Sequence, residues 1–513
     1  MINTPHSPAR IGPIALFLLI AVMAVYLIVN SSSVFEVQAG SFGLPAGVVL
    51  ILFLIIVPTF FVTLNRWQWG ITALVYYMPF SGLPSILLHP YIGTGMPTLI
   101  KDIAFVIPAY IGFASWHHNN SLKITDLPRE MKIALNLMTC LALLVFAHVF
   151  NRQLVSYMVG LIGLKVWLFY MPLYVLGYYL ITDKSQLIRL SKILLMLGMI
   201  PAIFGIVQAQ LIYMGDPGLA YALYGTAASD MTQSFARFDS AGGVGLVRIP
   251  SLFTFVLQYS AFLLALLPVC YALYMGSEYF GQKGTVYALA LGIITVALIT
   301  TGVRAVYVML PGFLVLALFL SGKGGQVKKS MTSLFTLIPL AFGSMVFLLQ
   351  SSLETFLDFI SSIIANYLSP AGEGALINQF EYALNLTWFG MGTGMNTGQA
   401  RYFRITDVSS YVSTASNAGV EALPGKAILE IGVPGLILVV ALFGWILISS
   451  YRQIGKLQDP LLRGFGVSLF AFLVVVIAWL YKGVVLDYDP LNALFWLFAG
   501  ILFKLSALEK DAS

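Results

Sequence analysis

The chain is short of charge. Asp, Glu, Lys and Arg make up 9% of its 513 residues, against roughly 25% in soluble domains, which excludes a solvated globular domain over most of its length. Cysteine is scarcer still. Cys140 and Cys270 are the two present, and both fall inside apolar runs, so neither a disulfide framework nor a cysteine metal cluster is indicated. The spacing of a zinc or other metal site is absent, and no internal repeat is visible. The GMGTG at 390–394 lacks the following Lys-Ser/Thr and the strand–helix context of a phosphate loop, and reads instead as tight turns outside the bilayer. No histidine falls between Ser351 and Lys426. The net charge of +6 reports orientation in such a chain, not nucleic acid binding.

Apolar sequence is abundant, at 59% of residues. Runs beyond about 18 apolar residues mark membrane spans. They occur at 11–30, 43–63, 69–88, 99–116, 132–150, 155–181, 188–214, 247–274, 284–302, 304–320, 332–350, 427–450, 463–481 and 490–507. The sequence predicts an all-α polytopic membrane protein of about 14 transmembrane helices with one long outward loop. Residues 1–350 carry the first eleven spans and a smaller outer loop at 215–246, 351–426 form the long loop, and 427–513 carry the last three spans and a tail. The opening MINTPHSPAR followed by an apolar run resembles a signal anchor and, without a small-x-small cleavage site, is expected to be retained.

Orientation follows from Lys and Arg. Seventeen of the 27, among them Arg66, Lys123, Arg129, Lys184, Arg189, Lys192, Lys328, Lys329, Arg452 and Lys456, fall on one face. That face is cytoplasmic and holds both termini. The other has Lys101, Arg152, Arg237, Arg248, Arg304, Arg401, Arg404, Lys426 and Lys482, and the long loop lies with them on the outside, which is the periplasm if the cell is Gram-negative. Trp67, Trp69, Trp116 and Trp479 fall near span ends, as interfacial aromatics do. Within the loop, Leu353, Phe356, Leu357, Ile360, Ile364, Tyr367 and Leu368 recur at helical spacing opposite Glu354 and Asp358, the pattern of an amphipathic helix on the membrane surface. Leu376, Ile377, Phe380, Leu384 and Trp388 form a second stripe flanked by Glu381, and the chain is irregular beyond it.

The outer arginines are the main chemical signal. Arg304 lies at an outward turn, Arg248 starts a span after a Gly-rich turn, and Arg401 and Arg404 sit in the irregular loop. Guanidinium groups bind diphosphates bidentately, whereas the alternative is snorkelling to lipid headgroups. Lys165 stands about ten residues into its span, near mid-membrane by the ~1.5 Å rise. Its burial costs about 2.5–3.5 kcal/mol on the insertion scale, so it faces the bundle or a wet cavity, as a functional group or as a structural partner of helix ends or of a carboxylate such as Glu430. His117 and His118 belong to a cytoplasmic loop, while His89 and His148 at outward span ends could be bases or structural. Asp239, Glu381, Asp407, Glu421 and Glu430 are the carboxylates in or near the outer loops. Glu421, just ahead of a span, is placed as a base near the membrane surface or as a solvated loop acid.

Three stretches, in order, resemble the O-antigen ligase and O-antigen polymerase family of bacterial inner-membrane glycosyltransferases. VRIPSLFTFVLQYSAFLLAL is similar to its Arg-led span. ALITTGVRAVYVML is similar to its threonine–arginine turn, with Val303-Arg304 where Ser-Arg is usual. SNAGVEALPGKAILEIGVPGLILVV is similar to the segment leaving the long periplasmic loop. GLKVWLFYMPLY around Lys165 is similar to an early span, and the likeness covers much of 160–450. The resemblance implies inverting, metal-independent glycosyl transfer at the outer face from a glycan on undecaprenyl diphosphate, with no cofactor. It makes Arg248 and Arg304 ligands of the diphosphate. Such donors, lipid, a flippase and a chain-length regulator are the partners it implies. Ligases of the family carry His-Asn where this chain has Ser416-Asn417, which favours a polymerase, or a base such as Glu421. The expectation is a polysaccharide polymerase; the alternatives are a ligase acting on lipid or protein, and a lipid-linked oligosaccharide flippase, against which the long amphipathic loop and the lack of repeated halves argue.

Overall fold

The computed structural model describes residues 46–92, 96–120, 127–154, 156–220, 222–224, 237–238, 246–280, 284–321, 325–349, 361, 376–397, 420 and 422–510. The expected span at 11–30, the stripe residues Leu353, Phe356, Leu357, Ile360, Ile364, Tyr367 and Leu368, and Arg401, Arg404, Asp239, Asp407 and Glu421 lie outside these residues. The regular structure of the described residues is helical apart from one antiparallel pairing of Arg237–Phe238 with Leu246–Val247. Eight of its helical stretches are long and apolar enough to cross a membrane, and Leu52–Asn65, Gly284–Thr300 and Val306–Leu320 are shorter apolar helices.

In chain order the helices are α1 (Ala46–Asn65), α2 (Trp67–Tyr77), α3 (Leu83–Ile92), α4 (Ile107–Asn119), α5 (Arg129–Val149), α6 (Tyr157–Leu168), α7 (Leu173–Leu180) and α8 (Lys184–Tyr213). There follow α9 (Val256–Met275), α10 (Gly284–Thr300), α11 (Val306–Leu320), α12 (Gly325–Leu349), α13 (Leu376–Leu386), α14 (Leu423–Ile454), α15 (Pro460–Trp479) and α16 (Leu491–Lys510). Local chemistry sets several starts. Ser156 accepts the Met158 N–H ahead of α6, Asp183 the Gln186 N–H ahead of α8, and Asp459 those of Leu461 and Leu462 ahead of α15, each satisfying donors that a helix N-terminus leaves open.

The burial pattern locates the core. The central windows of α9, α15 and α16 are 89%, 78% and 83% buried, whereas that of α5 is 28% buried. The first three are enclosed by protein, and α5 leaves most of its residues outside the buried core. Close approach is achieved with glycine: α7 lies on α16 so tightly that a Cβ on Gly500 would meet the Tyr174 carbonyl oxygen at 2.0 Å. In lipid, where association relies on packing rather than on hydrophobic expulsion, such small-residue contacts are the usual means of adhesion.

Several expectations are revised. The run at 155–181 is two helices, α6 and α7, separated by a turn at 169–172 that ends in Pro172, which cannot supply a helical N–H. The run at 247–274 becomes helical only at Val256, so Arg248 precedes the helix by a non-helical stretch. Trp67 and Trp479, at helix ends, are enclosed by protein, at 1% and 4% exposure; Trp67 packs on Phe113 and Trp116 at centroid distances of 5.0 and 5.5 Å. Trp388 lies beyond the end of α13 and is exposed, so it does not extend that helix's apolar stripe.

The largest revision concerns the GMGTG. The glycines at 390, 392 and 394 all have positive φ, as tight turns require, and the segment is packed inside the protein: 392–397 are all buried. It fills a break in α14. Gly432 has φ 74° and ψ −179°, a conformation essentially reserved for glycine, and Pro434 cannot donate to the Glu430 carbonyl four residues earlier. The freed groups are satisfied from the loop. Met391 N donates to Leu429 O (2.7 Å), Gly392 N to Glu430 O (3.2 Å), and Val433 N to Trp388 O (2.9 Å). Irregular backbone among membrane spans is tolerated only where protein or a wet cavity satisfies it, and here loop and broken helix satisfy each other.

Candidate functional site

Two arginine-bearing turns meet at one end of the bundle. The Ile249 N–H donates to the Thr301 carbonyl at 3.4 Å, which joins the segment after Arg248 to the turn before Arg304. Each turn is braced. At 301–304, the Thr301 hydroxyl donates to Leu298 O (2.7 Å) and accepts the Val303 N–H (3.3 Å), and Tyr307 OH donates to Ile299 O (2.9 Å). In the Arg248 segment, Ser251 has φ 54°, a left-handed conformation that costs a non-glycine residue of order 1–3 kcal/mol and persists only under constraint. The constraint is visible. Its N–H donates to Gln208 Oε1 (3.0 Å), its hydroxyl to Pro201 O (2.6 Å), and its carbonyl accepts from Tyr224 OH. Gln208 also donates to Ala220 O at 3.1 Å. Both arginines are half-buried, a setting in which a charge-assisted contact to an anion is stronger than in water.

A second constellation lies inside the bundle and was not foreseen. Lys165 pairs with Asp102 (2.9 Å), not with Glu430. Lys101 lies 3.1 Å from Asp102 and 2.7 Å from Asp489. Tyr170 OH donates to Asp102 (2.6 Å) and contacts Asp489 (3.0 Å). Two ammonium groups thus face two carboxylates. Glu430, fully buried at the break in α14, instead accepts Trp167 Nε1–H (2.6 Å), Asn396 N–H (2.9 Å) and the Thr397 hydroxyl (3.0 Å). Lys426 pairs with Asp487 and sits 5.4 Å from the centroid of the Trp167 ring. Lys101 and Lys426, expected among the outer charges, are buried, at 2% and 0% exposure. The two groups share their carriers, since Lys165 and Trp167 are neighbours on α6 and Asp487 and Asp489 on the turn before α16.

The histidine at the end of α5 is engaged as structure. The two ring nitrogens of His148 face Leu144 O (2.9 Å) and Phe389 O (2.7 Å), and Thr393 Oγ donates to Val145 O at 2.7 Å, so the end of α5 is tied to the buried loop. Glu381 is exposed on α13. Among the described residues no group of three or more His, Cys, Asp or Glu is arranged to hold a metal ion.

Sequence reasoning missed Asp102, Asp487, Asp489, Tyr170, Trp167, Gln208 and Ser251. A signal existed for three of them: Lys101-Asp102 within PTLIKDIAFVIP are charges inside an apolar run, which are costly and functional by default, and the DYDP places two acids directly between apolar runs. No known protein-family model matches the chain, and no curated protein does. The family resemblance therefore rests on the quoted segments alone.

Proposed function

We propose that the chain is a polysaccharide polymerase that joins oligosaccharide repeat units carried on undecaprenyl diphosphate, at the periplasmic face of a bacterial inner membrane. The observation that carries this reading is the Ile249–Thr301 hydrogen bond, which sets Arg248 and Arg304 on adjacent, braced turns. In the proposed reaction, Arg248 and Arg304, with Arg401 and Arg404 from the loop, receive the negative charge that grows on the diphosphate as the glycosidic bond to it breaks. Such stabilisation is usually the largest catalytic contribution. A base, Glu421 in this reading, takes the proton from the acceptor hydroxyl, an effect typically of 10²–10⁴-fold. About fourteen spans, cytoplasmic termini and an outward loop at 351–426 belong to the same proposal. A ligase acting on a lipid or protein acceptor would use the same arginines.

One observation favours a reading of another class. A helix broken at Gly432 beside buried charge is a recurrent construction of carriers, which keeps a lipid-linked oligosaccharide flippase as the second candidate. Purified protein in liposomes, given undecaprenyl-diphosphate-linked repeat units, separates the two. Longer glycan and released undecaprenyl diphosphate, unchanged by EDTA, support the polymerase. Movement of intact units between leaflets with no new glycosidic bond rejects it.

A further inference from the structure

Asp487 is buried on the turn between α15 and α16. Three sets of groups face it. From α14 come Lys426, its ion-pair partner, and Glu430, whose charge acts on it. From α6 come Trp167 and, within the neighbouring ionic group, Lys165; Lys101, Asp102, Tyr170 and Asp489 complete that group. From α16 comes Asn492. The Asn492 amide donates to Val166 O at 3.1 Å, but its oxygen, on a side chain of a residue 4% exposed, has no hydrogen-bond partner. A buried acceptor left open costs of order 1–3 kcal/mol.

Asn492 belongs to the wall of a cavity. The cavity has a volume of about 30 Å³ and is lined by Asp487, Asn492, Val166, Trp167, Leu442 and Trp496, among others. It has room for a water, and Asp487 with Asn492 supplies the two polar partners that a buried water needs. A water there would donate to Asn492 Oδ1 and exchange a proton with the carboxyl.

We propose that Asp487, with Lys426, Glu430 and Asn492 around it, is a proton-binding site inside the membrane domain, served by a water in the cavity beside Asn492. The proton adds to a carboxylate oxygen of Asp487 and parts it from the Lys426 ammonium, which stays beside Trp167 on the N-terminal half of the broken helix. Burial supports this direction: it pushes the Asp487 carboxyl up to about 6 despite the Lys426 charge, and Glu430 adds to the rise. The inference does not depend on the glycosyltransferase reading.

Infrared difference spectroscopy on the purified full chain, between about pH 8 and about pH 5, tests it. The carbonyl stretch of a protonated carboxyl should appear on acidification and be lost in Asp487→Asn. Asn492→Leu, which leaves every charge in place, should keep the band and shift its midpoint. Trp167 emission, isolated by subtracting Trp167→Phe, should titrate with the same midpoint as the band, and this wild-type comparison stands even if Asp487→Asn fails to fold. A carbonyl band of undiminished size in Asp487→Asn, or Trp167 emission that is flat across the range, overturns the proposal.

Discussion

The Lys165 ammonium stands 2.9 Å from Asp102, and this pair ties α6 to the helical turn at Asp102–Val106 that leads into α4. Lys165 in turn lies two residues from Trp167, which holds Glu430. The Lys165 side chain is 23% exposed, and Asp102 keeps Lys101 as a second partner, so Lys165→Met is expected to lower thermal stability in detergent by less than the about 3–5 kcal/mol of a fully buried pair. Because both residues share one network, Lys165→Met with Asp102→Asn should fall short of the sum of the single losses by about 0.5–3 kcal/mol. Additive losses in a double-mutant cycle would show that the pair does not couple.

The brace on the Arg248 segment gives a sharper contrast. Gln208→Leu leaves the buried Ser251 N–H without its acceptor, a loss of about 1–3 kcal/mol. Ser251→Val adds a branched side chain at φ 54° and removes the hydroxyl bond to Pro201, so it should be worse than Ser251→Gly, which relieves the backbone strain. Thermal unfolding of the three variants checks the order. Ser251→Gly falling furthest would show that the backbone is not constrained as described.

Gly432→Ala tests the join between the buried loop and the broken helix. A Cβ there would meet the Phe389 carbonyl carbon at 2.6 Å and the Trp388 oxygen at 2.7 Å, both of them backbone atoms that cannot swing aside. Protease protection of the segment near 388–397 should be lost, together with several degrees of thermal stability. Unchanged protection would mean that loop and helix are not packed as described.

Two carboxylates outside the spans predict opposite pH effects. Burial raises Asp487 to about 6, so between its ordinary value of 3.8 and about 6 the folded state holds a proton that the unfolded state releases. Its contribution to stability therefore grows as pH falls through about 6 and is complete below 3.8. At Asp459 burial works upward too, but it is outweighed by the Lys184 ammonium and the N–H groups of Leu461 and Leu462, and the carboxyl is held below 3.8. Its contribution is present above that value and is lost as pH falls further. Stability measured against pH should lose its rise on mild acidification in Asp487→Asn, and its fall in strong acid should be smaller in Asp459→Asn. A wild-type profile retained in both variants would contradict the assignment.

Helix positions were legible because apolar runs of span length admit few other structures in lipid. α5, α8, α10, α11, α15 and α16 lie close to the ranges read from hydropathy. The turn at 169–172 was not legible, since Phe169 to Met171 is as apolar as its flanks. The break at Gly432 and the burial of GMGTG were hidden for a different reason. Hydrogen bonds between Met391 and Leu429, and between Gly392 and Glu430, span some 38 residues of sequence, and hydropathy carries no pairing information. Of the candidate site, Arg248 and Arg304 were readable as outer arginines, but their adjacency rests on a long-range backbone bond. Lys165 was readable as an intramembrane charge, and its partner was not, because several carboxylates were equally compatible by composition.

The central claim is that Arg304 receives the charge of a lipid diphosphate during polymer growth. The most direct measurement is the glycan of cells whose only copy carries Arg304→Ala at wild-type protein level, read as a ladder of polymer sizes together with the lipid-linked units on each membrane face. The account predicts that the ladder vanishes and single units accumulate on the outer face. A ladder unchanged from wild type would remove Arg304 from the site, and units accumulating on the cytoplasmic face would identify a flippase and contradict the claim.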